Sequence, residues 1–538
     1  MPETDARRAQ RSIVIVFGIL CVYFTGVFSP WANPNELSRF QTVVAMAEWK
    51  TFSIDQAVAQ LGDHEDKAES GGRLYSNKAP GLAFAAYPAY RALRAVLPMP
   101  SAGTSGALFV LVRLLTVSLV CAIALSRFGA RLEESGTGGA AAVLVTLAVA
   151  LGTPYLFYAR SFFSHAWTAA LLFLAWDALR RAEAAAVRGE LAAALAGLLA
   201  GGAAISEYTV APVALALGLR VLAGRSFRRF AAFALAAAVP LGLLLYYDAV
   251  CFGSPWILSS AKEADPAYAA LAGRGAFGFV LPSPRIALAF LLDPARGVLL
   301  FSPFLLWSPV GLARWWRSGR LRADWWFVVA GVGTLFVSLC GYPNWHGGWS
   351  LGSRYLLPGV FFAALPIAWA LGTPLARGLF LAATVFAVAG HALLTASFVH
   401  LPLEMPWPAA TGALWFLGRG WVAPNLGTLL GAGPALSLLV PAALTVFAVW
   451  RTAHAAAPTR PVVALAALIG IAPLAALLLR PPEPPFYGRL WRAGVLGAFS
   501  GLDDERRELG AVALEASTPG EKVLAYRMWR WLGPPTPR

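Results

Sequence analysis

Predominantly apolar runs of about 17–23 residues recur along this chain, each long enough to cross ~30 Å of hydrocarbon as a helix. No soluble arrangement accounts for them. Of 538 residues, 58% are hydrophobic and only 13% charged, against about a quarter charged in a typical soluble domain. The mean hydropathy is +0.62. The formal net charge of +15 raises nucleic acid as a partner. The arginines, however, fall in short clusters between apolar runs, a placement that sets membrane topology and builds no basic groove. Nucleic acid is therefore set aside.

The runs predict an all-α polytopic membrane protein with about 13 transmembrane helices. They lie near 13–30, 104–126, 139–157, 164–182, 190–205, 208–222, 229–250, 296–313, 325–341, 355–372, 378–398, 430–450 and 461–480. Residues 1–30 imitate a signal peptide, with Arg7, Arg8 and Arg11 before an apolar run, but no small-residue cleavage site follows, so they read as an uncleaved first span. With the N-terminus cytoplasmic, the inner connections are 127–138, 183–189, 223–228, 314–324, 373–377 and 451–460. These and their flanks hold most of the arginine, from Arg127 and Arg131 through Arg314 and Arg317 to Arg451 and Arg460. The short opposite connections hold Arg160 and Arg354 and little else basic, as the positive-inside rule requires. The four cysteines (Cys21, Cys121, Cys251, Cys340) show no metal-ligand spacing, and nothing in the sequence supports pairing Cys251 with Cys340.

Residues 81–97 are long enough to span, but counting them would put every later arginine cluster outside. At about 100° per residue, Tyr87, Arg91 and Arg94 share one face while Leu82, Ala89, Leu93 and Val96 face the other way, which fits a helix lying in the interface. Residues 31–103 then form a large first outer loop with interfacial helices, 251–295 and 399–429 form two more, and 481–538 forms a small outer C-terminal tail domain after a transmembrane domain at 1–480. Gly197 and Gly201 make a small-xxx-small pattern that reads as helix packing. Asp177, one turn before Arg180 and Arg181, reads as a solvated cytoplasmic helix end.

Residues able to do chemistry collect in the outer connections. Asn33-Pro-Asn-Glu-Leu-Ser-Arg-Phe40 has two readings. Asn33 as N-cap, Pro34 at the first helical position and Glu36 three after the cap make a near capping box. Equally, Glu36 is a carboxylate able to accept a proton at the membrane face. In Tyr75-Ser-Asn-Lys-Ala-Pro-Gly81, Pro and Gly fit a turn that sets Lys78 at headgroup level, either snorkelling or meeting a phosphate. Tyr158-Ala-Arg-Ser-Phe-Phe-Ser-His165 and Ile205-Ser-Glu-Tyr208 add Arg160, His165 and Glu207, an acidic residue at a membrane helix end that needs a partner or water. Tyr342-Pro-Asn-Trp-His-Gly-Gly-Trp-Ser-Leu-Gly-Ser-Arg-Tyr355 carries His346 and ends on Arg354 at a helix start, backbone suited to an anion.

In this order, Asn33–Phe40, Tyr75–Gly81, Phe252-Gly-Ser-Pro255 and Trp345–Tyr355 resemble the bacterial GT-C glycosyltransferases, among them protein O-mannosyltransferase-like enzymes and the lipid A aminoarabinose transferases. The resemblance spans about residues 10–400. It implies a GT-C-like fold in a bacterial plasma membrane and transfer of a sugar from a polyprenyl-phosphate carrier to an acceptor hydroxyl on a glycan, lipid or protein outside the cytoplasm. Glu36 would be the base of an inverting transfer, with Lys78, Arg354, Arg160 and Arg39 toward phosphate. Where such enzymes carry an acidic pair in the first outer loop, this chain has Asn35 before Glu36; Asn77 and His165 likewise stand at positions that are often acidic. Glu207, Asp55, Asp66 and His346 complete the candidates. No NDP-sugar domain, Gly-rich phosphate loop or metal cluster is visible in the sequence, so a lipid-linked donor is expected and no other cofactor. A transporter or flippase of lipid-linked saccharides is the rival reading, and a scaffold of envelope-polysaccharide assembly a third. Polar residues gathered at one face, with no internal repeat, favour an enzyme.

Overall fold

The computed structural model describes residues 5–24, 33–101, 106–185, 189–276, 278–348, 350–397 and 405–456, with Arg489, Leu490, Val512, Glu515, Ser517, Thr518, Glu521 and Lys522. The expected span at 461–480 and nearly all of the 481–538 tail lie outside these residues. Helix α1 (Asp5–Tyr23) leads into α2 (Pro34–Glu48) and α3 (Asp55–Leu61). A hairpin follows, β1 (Lys67–Ser70) and β2 (Arg73–Ser76), then α4 (Gly81–Arg94). Next come α5 (Gly106–Glu134), α6 (Gly139–Leu151), α7 (Tyr155–Ala159), α8 (Ser164–Ala185), α9 (Gly189–Ser206), α10 (Tyr208–Ala223) and α11 (Phe227–Phe252). The described helices used below continue with α12 (Pro284–Leu292), α13 (Trp307–Arg317), α14 (Arg322–Cys340), α15 (Arg354–Ala364), α16 (Pro374–Ala396) and α17 (Pro434–Ala456).

Six of these, α5, α9, α11, α14, α16 and α17, are long and apolar enough to cross a membrane, which makes this a multi-pass membrane protein. Several other expected spans are broken, each at proline, whose missing N–H interrupts the helical ladder. The 139–157 run stops at Leu151 and resumes as α7 after Pro154; the 296–313 run divides into Val298–Phe301, a 3-10 turn at Pro303–Leu306, and α13. The 355–372 run divides at Pro366 into α15 and Ile367–Ala370.

The purely helical expectation needs one correction. Lys67–Ser70 pairs antiparallel with Arg73–Ser76, closed by Gly71 and Gly72 with φ of 58° and 72°. Two left-handed residues make the two-residue turn that matches strand twist, and Gly-Gly adopts it without strain. Helix α4 has 14 residues, about 21 Å, short of a span. Its buried stripe is Leu82, Ala83, Ala86 and Tyr90, while Val96 beyond its end is 80% exposed, so the expected apolar face is displaced. The polar members explain this: the Tyr90 hydroxyl and the Arg94 guanidinium both turn inward to Glu48 of α2, at 2.8 and 2.7 Å.

Gly197 and Gly201 do pack helices. A Cβ on Gly197 would stand 2.0 Å from the Phe233 carbonyl oxygen, so α9 and α11 touch backbone to backbone there. Asp177 is not solvated. It is fully buried and bonded by Arg127, Arg131 and Arg181, while neighbouring Asp324 is held by Arg180, Arg220 and the Trp176 indole. Three guanidinium groups supply what water would have given that carboxylate. All four cysteines are free thiols, Cys251 and Cys340 included.

Candidate active site

The segment Tyr158–His165, from the end of α7 to the start of α8, is the meeting point of residues from the Asn33–Phe40, Ile205–Tyr208 and Tyr342–Tyr355 motifs. The Phe162 N–H donates to a carboxylate oxygen of Glu36. Ser164 Oγ donates to Glu207 at 2.8 Å and accepts from Arg39 Nη2 at 3.1 Å. His165 Nδ1 lies 3.5 Å from the same Glu207 oxygen. The Phe163 ring lies beneath the Arg354 guanidinium, 5.3 Å away.

Helix α2 supplies Asn35, Glu36 and Arg39. Asn33 caps it through the Asn35 N–H, and Pro34 occupies the first turn. The reciprocal half of the capping box does not form, because the Glu36 side chain is committed to Phe162 instead. Glu36 is 6% exposed. Burial pushes its pKa above the ordinary 4.5, against the Phe162 bond and the charges of Arg113, Arg160 and Arg39. Asn35 takes up Arg39 Nη1 one turn on. Arg39 is 3% exposed; burial pulls its pKa down to about 10, while Glu207 and Asp66 hold it up and Arg354 opposes it.

The hairpin brings in Lys78. Its register sets Lys67 against Ser76, so Asp66, just before β1, faces the stretch just after β2, and its carboxylate reaches Lys78 Nζ at 3.0 Å. Burial works against ionising Asp66, but the Lys78 charge and hydrogen bond prevail and hold its pKa below the ordinary value. Asn77 donates to Glu263 at 2.7 Å, where the second long connection docks on the hairpin through Ala264 N–H to Lys67 O. Burial raises the Glu263 pKa to about 7. Gly81 completes the motif: a Cβ there would stand 2.4 Å from Ser206 Oγ, so only glycine lets α4 begin against the end of α9, beside Glu207.

Arg354 enters from the start of α15, 8% exposed, over the rings of Phe163 and Tyr355. Gly347, at φ 71°, folds against it; a Cβ would come 2.5 Å from Arg354 Nε. Arg296, buried just after α12, braces this loop by donating to the His346 and Ser350 carbonyls. Tyr158 bonds the Leu351 carbonyl at 2.8 Å. His346 uses Nδ1 to accept the Gly348 N–H, and burial lowers its pKa to about 4. Asp55 bonds the Leu74 N–H and the Ser53 hydroxyl, shaping the hairpin at a remove from the cluster.

Around Ser164 and His165 the structure thus gathers Arg39, Lys78 and Arg354 with Asp66 and Glu207. Glu263 and Asp265 add further carboxyl groups on the Lys78 side. Glu36 joins Arg39 to a second cationic pair, Arg113 and Arg160. Arg160 donates to the Thr395 carbonyl at 3.3 Å and lies over the rings of Phe24 and Phe157. Arg113 is fully buried in α5, followed by a π-turn at Leu114–Ser118. Among the described residues, no cluster of three His, Cys, Asp or Glu suited to a metal ion occurs. Arg113 was legible in principle, since a cation inside an apolar run is a functional signal. Arg296 and Glu263 carried no motif.

No family model matches the chain, and no curated protein matches it. Among solved structures it is similar to ArnT from Cupriavidus metallidurans in the apo state, at 15% identity and TM-score 0.46, covering 86% of this chain and 76% of that one. ArnT bound to undecaprenyl phosphate matches at the same identity and TM-score. The apo oligosaccharyltransferase of Archaeoglobus fulgidus matches at 13% identity and TM-score 0.41, over 98% of this chain and 60% of that one. Both belong to the GT-C superfamily. At such values the likeness says nothing about which reaction this chain performs; the residues of its own site carry that.

Proposed function

We propose that this protein is a membrane glycosyltransferase that moves a sugar from a polyprenyl-phosphate carrier to an acceptor hydroxyl at the outer face of a bacterial plasma membrane. The topology proposed with it is the 13-span, N-terminus-inside arrangement, with the tail outside. The observation that carries the reading is the pair Arg39 and Arg354. Both guanidinium groups are buried, and among the described residues neither has a carboxylate within ion-pair distance; the Nε of each lacks a hydrogen-bond partner. An unpaired buried cation costs on the order of several kcal/mol, which an anionic ligand repays. A phosphodiester donor carries one negative charge to set against this pair.

The chemistry asks little beyond position and charge. The acceptor oxygen attacks the anomeric carbon, the bond from that carbon to the phosphate oxygen breaks with inversion, and polyprenyl phosphate leaves with one more negative charge. Glu36 takes the acceptor proton. Arg39, Lys78 and Arg354 act where charge grows on the leaving phosphate, and donors fixed in a site shielded from bulk water stabilise such charge most. The raised pKa of Glu36 makes it a stronger base than a surface carboxylate.

Incubating the purified protein with labelled polyprenyl-phosphate sugars and envelope extract tests the proposal. Label appearing on a second molecule supports it. Donor crossing vesicle membranes with no label transferred would establish the flippase instead.

A further inference from the structure

We infer that the turn between α13 and α14 holds an anionic phospholipid on the membrane face opposite the candidate site. Helix α14 fixes the place. Its last residue, Cys340, leads directly into the Tyr342–Tyr355 loop that ends on Arg354. The helix is 19 residues long, about 28 Å, close to the ~30 Å of a hydrocarbon core. Its first residue, Arg322, therefore stands at the far face.

Four arginines gather there: Arg314 and Arg317 in the last turn of α13, Arg320 in the connection, and Arg322. All four are exposed, and among the described residues none has a carboxylate within ion-pair distance. The carboxylates close by are taken. Asp324 is buried against Arg180 and Arg220. Arg320 packs on Gly136, just past α5, whose Glu133 and Glu134 already pair with Arg7 and Arg131. Like charges crowded on one turn repel, and an anion set among them relieves the repulsion. The turn is also held in one shape. The Trp315 indole donates to the Arg320 carbonyl and the Trp325 indole to the Leu312 carbonyl, each at 2.9 Å. Between them Leu321 is kept at φ 52°, a strained state for a residue with a branched side chain.

Charge alone would suit any anion; the surface beside it selects a lipid. Trp316 and Trp326 are 37% and 57% exposed, and the Arg322 guanidinium lies 4.7 Å over the Trp316 ring. Exposed indoles favour the headgroup level of a bilayer. Leu306, Val310 and Arg314, spaced by four, share one face of α13, and both aliphatic side chains are exposed. On α14, Arg322 and Trp326 are likewise one turn apart on an outward face. A phosphate at the arginines thus has apolar surface running away from it toward the membrane interior, where acyl chains lie and free phosphate has nothing to place.

The full chain, freed of lipid in detergent, is titrated with dioleoyl phosphatidylglycerol, dioleoyl phosphatidylcholine and glycerol 3-phosphate, bound molecules being counted by native mass spectrometry. Phosphatidylglycerol should bind the most tightly of the three. Its affinity should fall roughly thirtyfold in Arg317→Gln/Arg322→Gln and about fivefold in Arg317→Gln alone, the yield of two arginines and of one beside an anionic head. Arg314, which bonds the Ala370 carbonyl, and Arg320 stay in place to preserve the turn. The control Arg225→Gln/Arg228→Gln removes the same charge from exposed positions around the start of α11 and should leave the affinity unchanged. Lipid-free variants should melt with the unmutated protein, since neither Arg317 nor Arg322 is in an ion pair, which separates lost binding from lost fold. Equal affinity for phosphatidylcholine overturns the inference, as does an equal loss in the control, which would make the attraction diffuse. Glycerol 3-phosphate binding as tightly as the lipid overturns it too. No sugar transfer enters the measurement, so the result stands apart from the proposed function.

Discussion

The Asp66 carboxylate sits 3.0 Å from the Lys78 ammonium, each side chain less than a fifth exposed, because the hairpin between them closes on two glycines. A lysine expected to meet a phosphate already has an anionic neighbour. The two substitutions therefore separate. Lys78→Ala should weaken donor binding and slow transfer together, since phosphate is charged before and during the reaction. Asp66→Asn should free the ammonium and tighten donor binding, by about tenfold for one charge pair in a partly dry site. Steady-state kinetics with a labelled donor distinguishes them. An Asp66→Asn protein with no turnover would make Asp66 the base.

Glu36→Gln keeps the shape of the side chain and its acceptance of the Phe162 N–H but removes the proposed base. Transfer should fall roughly 10²–10⁴-fold with donor binding intact. A near-normal rate would reduce Glu36 to a structural acceptor.

The pH dependence carries a sign of its own. Burial raises the Glu36 pKa above 4.5, and only the ionised form accepts a proton. Transfer should therefore decline as pH falls through that raised value, before an ordinary carboxylate would protonate. An acid limb of the rate profile at or below 4.5 would exclude Glu36 as its source.

Glu263 bears on stability. Its pKa rises from 4.5 to about 7 on folding, so the folded state holds the proton more tightly. That contribution is present in full below 4.5 and is lost as pH rises through about 7. Lys78, Asp66, Asp265 and the Asn77 amide are the groups around it. Glu263→Gln should accordingly match the unmutated protein below pH 4.5, melt progressively higher than it as pH rises from there to about 7, and keep a constant margin above, read from melting temperatures across that range. A difference constant across the whole range would show that the carboxyl does not titrate there.

Asp177→Ala would leave Arg127, Arg131 and Arg181 around a missing anion. Breaking such a buried group typically costs about 3–5 kcal/mol, and the melting temperature should drop accordingly. Asp177 is twelve residues beyond His165 on α8, about 18 Å, so activity per folded molecule should persist.

Much of the candidate site was legible because its residue types violate their surroundings: Lys78, Glu207, Arg160 and Arg354 are polar groups beside apolar runs. What the sequence left ambiguous was commitment. Asn33-Pro-Asn-Glu reads first as a cap and also as a base, and only the approach of Phe162 takes Glu36 away from the helix end. The spans were readable as lengths but not as breaks, since Pro154, Pro303 and Pro366 lie inside runs whose hydropathy is unchanged by them. The hairpin was missed because four-residue strands leave no periodicity to find, although Gly71-Gly72 marks its turn. Asp177 was misread for want of Arg127 and Arg131, some fifty residues earlier in sequence and in contact only once α5 and α8 pack.

The bond from the Phe162 peptide to Glu36 has a genetic consequence. The donor belongs to the main chain, so aliphatic or aromatic replacements at 162 leave it in place, and comparing side chains at that position across variants would give no hint of it. Proline alone deletes the N–H. A saturation library at 162, scored for function against protein yield, should set proline apart from every apolar alternative, marking a contact that no side-chain inventory would reveal.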